Sequence, residues 1–182
     1  LAKKYNLKII EDAAEMHGQT YKGKMCGSFG DVSIFSFYPN KHITTGEGGM
    51  CVTSNAKLAK RCRSLRNLCF KAEKRFVHDE LGWNYRMTNF QAAIGVAQLE
   101  KLEFHVERKR EIGGKYAELL GNNKNFSLGL SKTDYSENIY WVVGILLDNK
   151  LENNAEYYMK LLTNEGIGVR PFFYPMHLQP VF

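Results

Sequence analysis

Apolar positions come first in short runs broken by glycine-rich turns, and later at helical spacing. Leu7 to Glu11 is a short apolar strand with an acid, Asp12, at its C-terminal end. Tyr21-Lys22-Gly23-Lys24 reads as the turn of a small hairpin. Val32 to Phe37, rich in β-branched and aromatic residues, reads as a buried strand. Pro39 ends it, and Lys41 follows. A loop of Thr44, Thr45, Gly46, Glu47, Gly48 and Gly49 then leads into a second strand, Met50 to Thr53. Ser54 can cap a helix from Asn55 to about Leu68, with Leu58, Cys62 and Leu65 on one face. Asn67 to Leu81 is polar and irregular, and a mobile loop is expected there.

Thr88-Asn89-Phe90-Gln91 has the form of a capping box. It should open the longest helix, running through Leu102 toward Tyr116, with Phe90, Ala93, Ile94, Ala97 and Leu102 on its apolar face. Gly113-Gly114 is the expected kink or end. After a polar connector, Asn138 to Leu147 reads as a long apolar strand and Asn153 to Asn164 as a helix. Gly166 to Val169 turns into a last strand. The mixture points to an α/β protein, divided at residues 1–104 and 105–182, with the second part a small α/β layer.

Composition narrows the class. The chain has 182 residues, 44% of them hydrophobic, enough for one sizeable core or two small ones. No apolar run reaches the roughly 18 residues of a membrane span. Cys26, Cys51, Cys62 and Cys69 form no CxxC pair and read as reduced packing residues of a cytoplasmic protein. His17, His42, His78, His105 and His177 form no ligand-spaced cluster, so no metal is expected. Much of the net charge of +6 lies between Lys57 and Arg75. Without a nucleic-acid motif, that stretch reads as a solvated helix face beside an anionic nucleotide substrate, not as a nucleic-acid surface.

The chemistry gathers around Lys41. A lone lysine after a strand is ordinarily a solvated surface group, Asp12 could simply cap a helix starting at Ala13, and the glycines could serve a tight turn. Together they supply the parts of a pyridoxal phosphate site. Lys41 is the amine that bonds the cofactor, Ser36 a phosphate donor, and Asp12 a partner for the pyridinium nitrogen. Two phosphate-loop alternatives fail on detail. A Walker lysine follows its glycines, whereas Lys41 precedes them. A dinucleotide fingerprint needs glycine where Cys51 stands.

These residues sit in longer motifs: EDAAEMHGQTYKGKMCGSFGDVSIFSFYPNKHITTGEGGM (11–50), NYRMTNFQAAIGVAQLEKL (84–102) and HLQP (177–180). By order and spacing the chain resembles the DegT/DnrJ/EryC1/StrS family of PLP-dependent sugar aminotransferases along essentially its whole length. The resemblance implies the PLP-dependent transferase type I fold, like aspartate aminotransferase. This chain would represent only part of it: the C-terminal part of the large domain and most of the small one. On that expectation the family's N-terminal segment, with a second phosphate-binding loop and ring-stacking residues, lies outside the 182 residues.

The resemblance also assigns roles. Lys41 matches the family's catalytic lysine, and its presence instead of histidine favours transamination over sugar dehydration. Asp12 matches the acid at the pyridine nitrogen, Ser36 the phosphate hydroxyl, and Asn84 a residue that reaches the partner subunit's cofactor phosphate. A homodimer with shared sites is therefore implied. Glu15, Asn40-Lys41 and the run from Asn84 to Asn89 most resemble perosamine-synthase members, which aminate a GDP-linked 4-keto-6-deoxymannose with glutamate. Glu15 would then lie near cofactor or sugar, although an exposed turn acid is its plainer role. His177 falls in a motif near the family's active site. The leading expectation is transamination of a nucleotide-linked keto sugar for surface-glycan biosynthesis. The alternative is a non-catalytic regulator or scaffold on the same fold.

Overall fold

The apolar run after Asp31 forms the middle strand of a three-stranded sheet. The computed structural model describes residues 1–182. The chain divides into two units, one of residues 1–116 and 130–143, the other of residues 117–129 and 144–182. In the first unit a short helix α1 (Ala2–Tyr5) precedes β1 (Ile10–Asp12), β2 (Thr20–Tyr21), β3 (Lys24–Met25), β4 (Val32–Ser36) and β5 (Gly49–Val52). The sheet order is β1-β4-β5. β1 runs parallel to β4 with Asp12 opposite Ile34, and β4 runs antiparallel to β5 with Ser36 opposite Gly49. Because β1 and β4 are parallel, Asp12 and Ser36 both end strands at the sheet's carboxyl edge, where open α/β sheets gather their ligands.

β2 and β3 form the expected hairpin. Its turn residues Lys22 and Gly23 have φ of 49° and 75°, the positive values that let a two-residue turn follow the strand twist. Helix α2 (Ala56–Arg66) starts one residue later than Ser54 would place it. Asn55 is the cap, its side chain accepting from the Lys57 and Leu58 amides. The segment after it is not featureless. Asn67 bridges to Asn84 and Phe70 to His78, while Arg61 grips Glu80 through both carboxylate oxygens at 2.6 Å.

Thr88 and Gln91 cap α3 (Asn89–Leu99) reciprocally, as the motif predicts. The single long helix expected here is two. Helix α3 closes on a tighter bond from Lys101 N–H to the Gln98 carbonyl, and α4 (Leu102–Leu120) begins anew. Phe90, Ile94, Val96 and Leu99 of α3 are exposed, so its apolar residues are not gathered against this chain's own core. The glycine pair does not end α4, which runs on to Leu120. Gly113 is buried because the Tyr140 ring fills the space a β-carbon would take.

Asn138 to Leu147 differs most from its sequence pattern. Only β7 (Ile145–Leu147) is a strand, paired with β6 (Phe126–Leu128) in the second unit. Upstream, the Asn138 side chain accepts from Tyr140 N–H at 2.7 Å, and Tyr140 adopts φ of 48°. That local bond replaces a ladder bond, so β-prone aromatics are spent on packing instead of pairing. The rest of the second unit is α5 (Ala155–Asn164), capped by Asn154, and a 3-10 turn at Met176–Leu178. No strand forms at Gly166 to Val169. No helix is long and apolar enough to cross a membrane.

The first unit's buried hydrophobic residues are Ala13, Ile43, Cys69, Val106 and Ile139, and its buried polar ones are His17, Gln19, Ser33, His42 and Thr45. His17 lies 5.4 Å from the Phe35 ring and 5.9 Å from Phe37, and neither of its nitrogens has a hydrogen-bond partner. Burial, then the charges of His42 and Lys41, push its pKa down to about 4. The backbone of Ser36 opposes this but does not reach hydrogen-bonding geometry. A base held neutral in the fold contributes stability fully above its unfolded pKa near 6.5, and that contribution is lost as pH falls toward about 4. Urea unfolding of the whole protein should therefore show stability declining through this window. In His17→Leu the decline should be shallower, with stability at pH 7 within about 1 kcal/mol of wild type, because an unpaired polar ring is replaced by an apolar side chain.

Candidate active site around Lys41

The loop that carries Lys41 closes on itself before it touches anything else. Lys41 N–H donates to the Tyr38 carbonyl, Thr45 N–H and the Thr44 hydroxyl to the Phe37 carbonyl, and Phe37 N–H to the Gly48 carbonyl. Gly48, at φ 152°, permits the return, since a β-carbon there would meet Thr45 Oγ1 at 2.5 Å. Helix α3 clamps the loop from outside. Gln91 Nε2 donates to the Glu47 carbonyl at 3.0 Å, and Gln98 Oε1 accepts from Thr44 N–H at 3.2 Å. Gly95 lets the helix approach, because a β-carbon there would stand 2.9 Å from Thr45 Cγ2. The glycines thus serve a hydrogen-bonded strand-to-strand connection that presents Lys41.

The Lys41 side chain is only 8% exposed, and its Nζ is ion-paired with Glu15 Oε1. An amine so far out of water needs a charged partner in its cationic form. Glu15 stands on the turn after β1. Asp12 begins that turn, its Oδ1 accepting from Ala14 N–H at 3.1 Å. No helix starts at Ala13, so Asp12 caps a turn and its second oxygen stays uncommitted. Ser36 Oγ accepts from Tyr38 N–H at 3.3 Å, leaving its own proton to donate.

The histidine after the lysine is structural. His42 Nε2 lies 2.8 Å from the Ile139 carbonyl, which can only accept, so Nε2 carries the proton. Burial lowers the His42 pKa, with the charges of Lys109, His105 and Lys41 adding to it against the pull of that carbonyl.

Of the residues singled out in the sequence, Lys41 and Glu15 are in contact, and Asp12 and Ser36 share the sheet's carboxyl edge. Asn84 stands apart. It is exposed, bridged to Asn67 at the end of α2, and its Oδ1 accepts from Arg86 Nε at 2.9 Å. His177 is exposed in the second unit's 3-10 turn.

Glu11 is the residue that sequence reasoning passed over. Its carboxylate accepts from Gly27 N–H at 2.5 Å, Phe29 N–H at 2.7 Å, Gly30 N–H at 3.0 Å and the Ser33 hydroxyl at 2.9 Å. Burial would raise its pKa, but these donors outweigh burial and hold it below the usual carboxylate range. The available signal was an acid ending a strand, followed by Gly27-Ser28-Phe29-Gly30, a run whose bare amides can turn toward an anion. Glu11 thereby locks the end of β1, and with it Asp12.

The donor set fits pyridoxal phosphate. It offers an amine shielded from water, a carboxylate oxygen free to accept from a ring N–H, and a hydroxyl with a proton to give a phosphate. No cluster of histidine, cysteine or acid side chains could hold a metal ion. Over residues 1–182 the sequence matches the DegT/DnrJ/EryC1/StrS aminotransferase family. The chain belongs to this family. Aminotransferases of the family depend on pyridoxal phosphate.

The GDP-perosamine synthase of Escherichia coli O157:H7 is 43% identical over 185 residues, spanning 100% of this chain and 49% of that protein. The GDP-perosamine synthase of Vibrio cholerae is also 43% identical, over 183 residues, with the same coverage. Helicobacter pylori PseC, an aminotransferase involved in the biosynthesis of pseudoaminic acid, matches in structure with a TM-score of 0.91 at 25% identity, covering 99% of this chain and 49% of PseC. The chain spans about half the length of the curated relatives it matches. It carries the type I aminotransferase fold in part, as the sequence motifs imply.

Removing the Glu11 carboxylate should loosen the whole carboxyl edge. Glu11→Ala strands three amides and a hydroxyl, and chemical denaturation should show a loss on the order of 3 kcal/mol. A loss under about 1 kcal/mol would mean that water replaces the carboxylate freely.

Proposed function

We propose that this protein transfers an amino group from glutamate to a nucleotide-linked 4-keto-6-deoxy sugar, with pyridoxal 5'-phosphate as cofactor. The observation that carries the reading is the Lys41 amine, all but buried, ion-paired with Glu15 at the mouth of the sheet edge that holds Asp12 and Ser36. When bound, the cofactor supplies an electron sink that makes the carbon–hydrogen bond of the attached amine labile.

The chain's own residues do the rest. Lys41 would hold the cofactor, and its amine would be the base that takes and returns the proton at the substrate carbon. Glu15 stabilises that amine whenever it is protonated. The free oxygen of Asp12 accepts from the ring nitrogen and keeps it cationic, and the Ser36 hydroxyl donates to the phosphate. Asn84 serves the phosphate of the partner subunit, which makes the working unit a homodimer with shared sites.

The 43% identity to two GDP-perosamine synthases supports a GDP-linked sugar, and a cytoplasmic place in surface-glycan biosynthesis goes with that reading. The basic stretch from Lys57 to Arg75 fits a solvated face near an anionic nucleotide, since Arg61 and Lys71 are already paired with Glu80 and Asp79. Nothing in the fold favours nucleic acid or a non-catalytic scaffold.

Nitrogen-15 glutamate tests the reaction. The whole protein, given cofactor and GDP-linked 4-keto-6-deoxymannose, should release an amino sugar nucleotide carrying the label, detected by mass spectrometry. Unlabelled keto sugar, with label confined to glutamate, would contradict the reading.

Subunit mixing tests the shared site. Lys41→Ala and Asn84→Ala should each be severely impaired alone. Random exchange between them makes half the dimers mixed, each with one intact site, so about a quarter of wild-type activity should return. Exchange without recovery would remove Asn84 from the partner's site.

A further inference from the structure

We propose that Trp141 is a positioning residue for the Lys41 amine, its indole face holding the amine beside Glu15 while the amine carries a proton and releasing it once the proton is gone. The ring lies over Lys41 Nζ at 4.2 Å from its centroid, within the range of a cation–π contact. That attraction acts on the ammonium and vanishes for the neutral amine, so the ring tells the two states apart. Glu15 supplies charge from another side. The proposal deepens the transaminase reading, because it gives a keeper to the amine on which that reading turns.

The ring is there by construction. Three successive residues of the lysine loop meet the 139–141 segment. Asn40 accepts from Trp141 Nε1 at 3.0 Å, Lys41 meets the indole face, and His42 Nε2 donates to the Ile139 carbonyl at 2.8 Å. The segment is shaped for this by Asn138 capping Tyr140, by the left-handed Tyr140, and by the Tyr140 ring seated on Gly113. Helix α4 anchors it from behind, with Lys109 Nζ donating to the Trp141 carbonyl at 3.2 Å and Arg110 Nε to the Asn138 carbonyl at 3.4 Å. A β-prone run is thus bent out of strand geometry, at the cost of a left-handed tyrosine, and the bend delivers an indole to one amine.

The test reads the amine directly, without cofactor or sugar. Competitive acetylation of the cofactor-free whole protein, with the Lys41 peptide quantified by mass spectrometry, reports how readily the neutral amine becomes available. Trp141→Leu should acetylate at Lys41 roughly two- to thirty-fold faster than wild type at a fixed pH, with Trp141→Phe between them. Because a leucine could also disturb packing, the deciding series incorporates mono-, di- and trifluorotryptophan at position 141. Fluorine drains the ring face while leaving shape and N–H in place, so the Lys41 rate should climb with each fluorine. A flat fluorine series overturns the proposal, whether or not Trp141→Leu is fast, because the indole would then act only by packing. Loss of labelled amino sugar in the nitrogen-15 experiment would refute the transaminase reading and leave this outcome readable on its own.

Discussion

A lysine amine withdrawn from water has to be held, and the first unit is arranged around that need. Lys41 stands on the loop that follows the middle strand, with its side chain 8% exposed. In that position an ammonium loses most of its hydration and must recover it from an acid, a π-face or both. Glu15 and Trp141 supply these from opposite ends of the unit's sequence. Each of them is placed by backbone devices instead of by bulk packing: a capped turn after β1 for Glu15, a left-handed bend for Trp141.

The same economy runs through the sheet edge. Glu11 and Asp12 are neighbours with opposite duties. Glu11 spends its carboxylate on the loop of residues 27–30 and the Ser33 hydroxyl, while Asp12 spends one oxygen on a turn and keeps the other. A strand alternates its side chains between faces, so adjacent acids can serve structure and chemistry separately. The glycines divide in the same manner. Gly48 lets the lysine loop return to the sheet, and Gly95 and Gly113 let α3 and α4 come close.

Much of this is legible in the sequence. The central strand, the hairpin turn, the cap at Thr88 and Gln91, and the family motifs are all local signals, and local signals survive folding. What was not legible depends on contacts distant in sequence. Nothing near Ile139 or Trp141 announces that they will pair with His42 and Asn40, so their β-prone side chains read as a strand. Gly113 looked like a break because its reason, the Tyr140 ring, lies elsewhere in the chain. Glu11 was hidden behind Asp12, since a carboxylate serving backbone amides has the same letter as one serving a ligand. The apolar residues of α3 could be counted, but not the direction they would face.

The central claim is that Lys41, and no other lysine, is the amine that bonds the cofactor. Borohydride reduction of the whole protein loaded with pyridoxal phosphate fixes the cofactor on whichever lysine holds it, and peptide mass spectrometry then locates the mass. The account predicts the label on the peptide containing Lys41 and its disappearance in Lys41→Ala. Label on a different lysine, or label that survives that substitution, would contradict it.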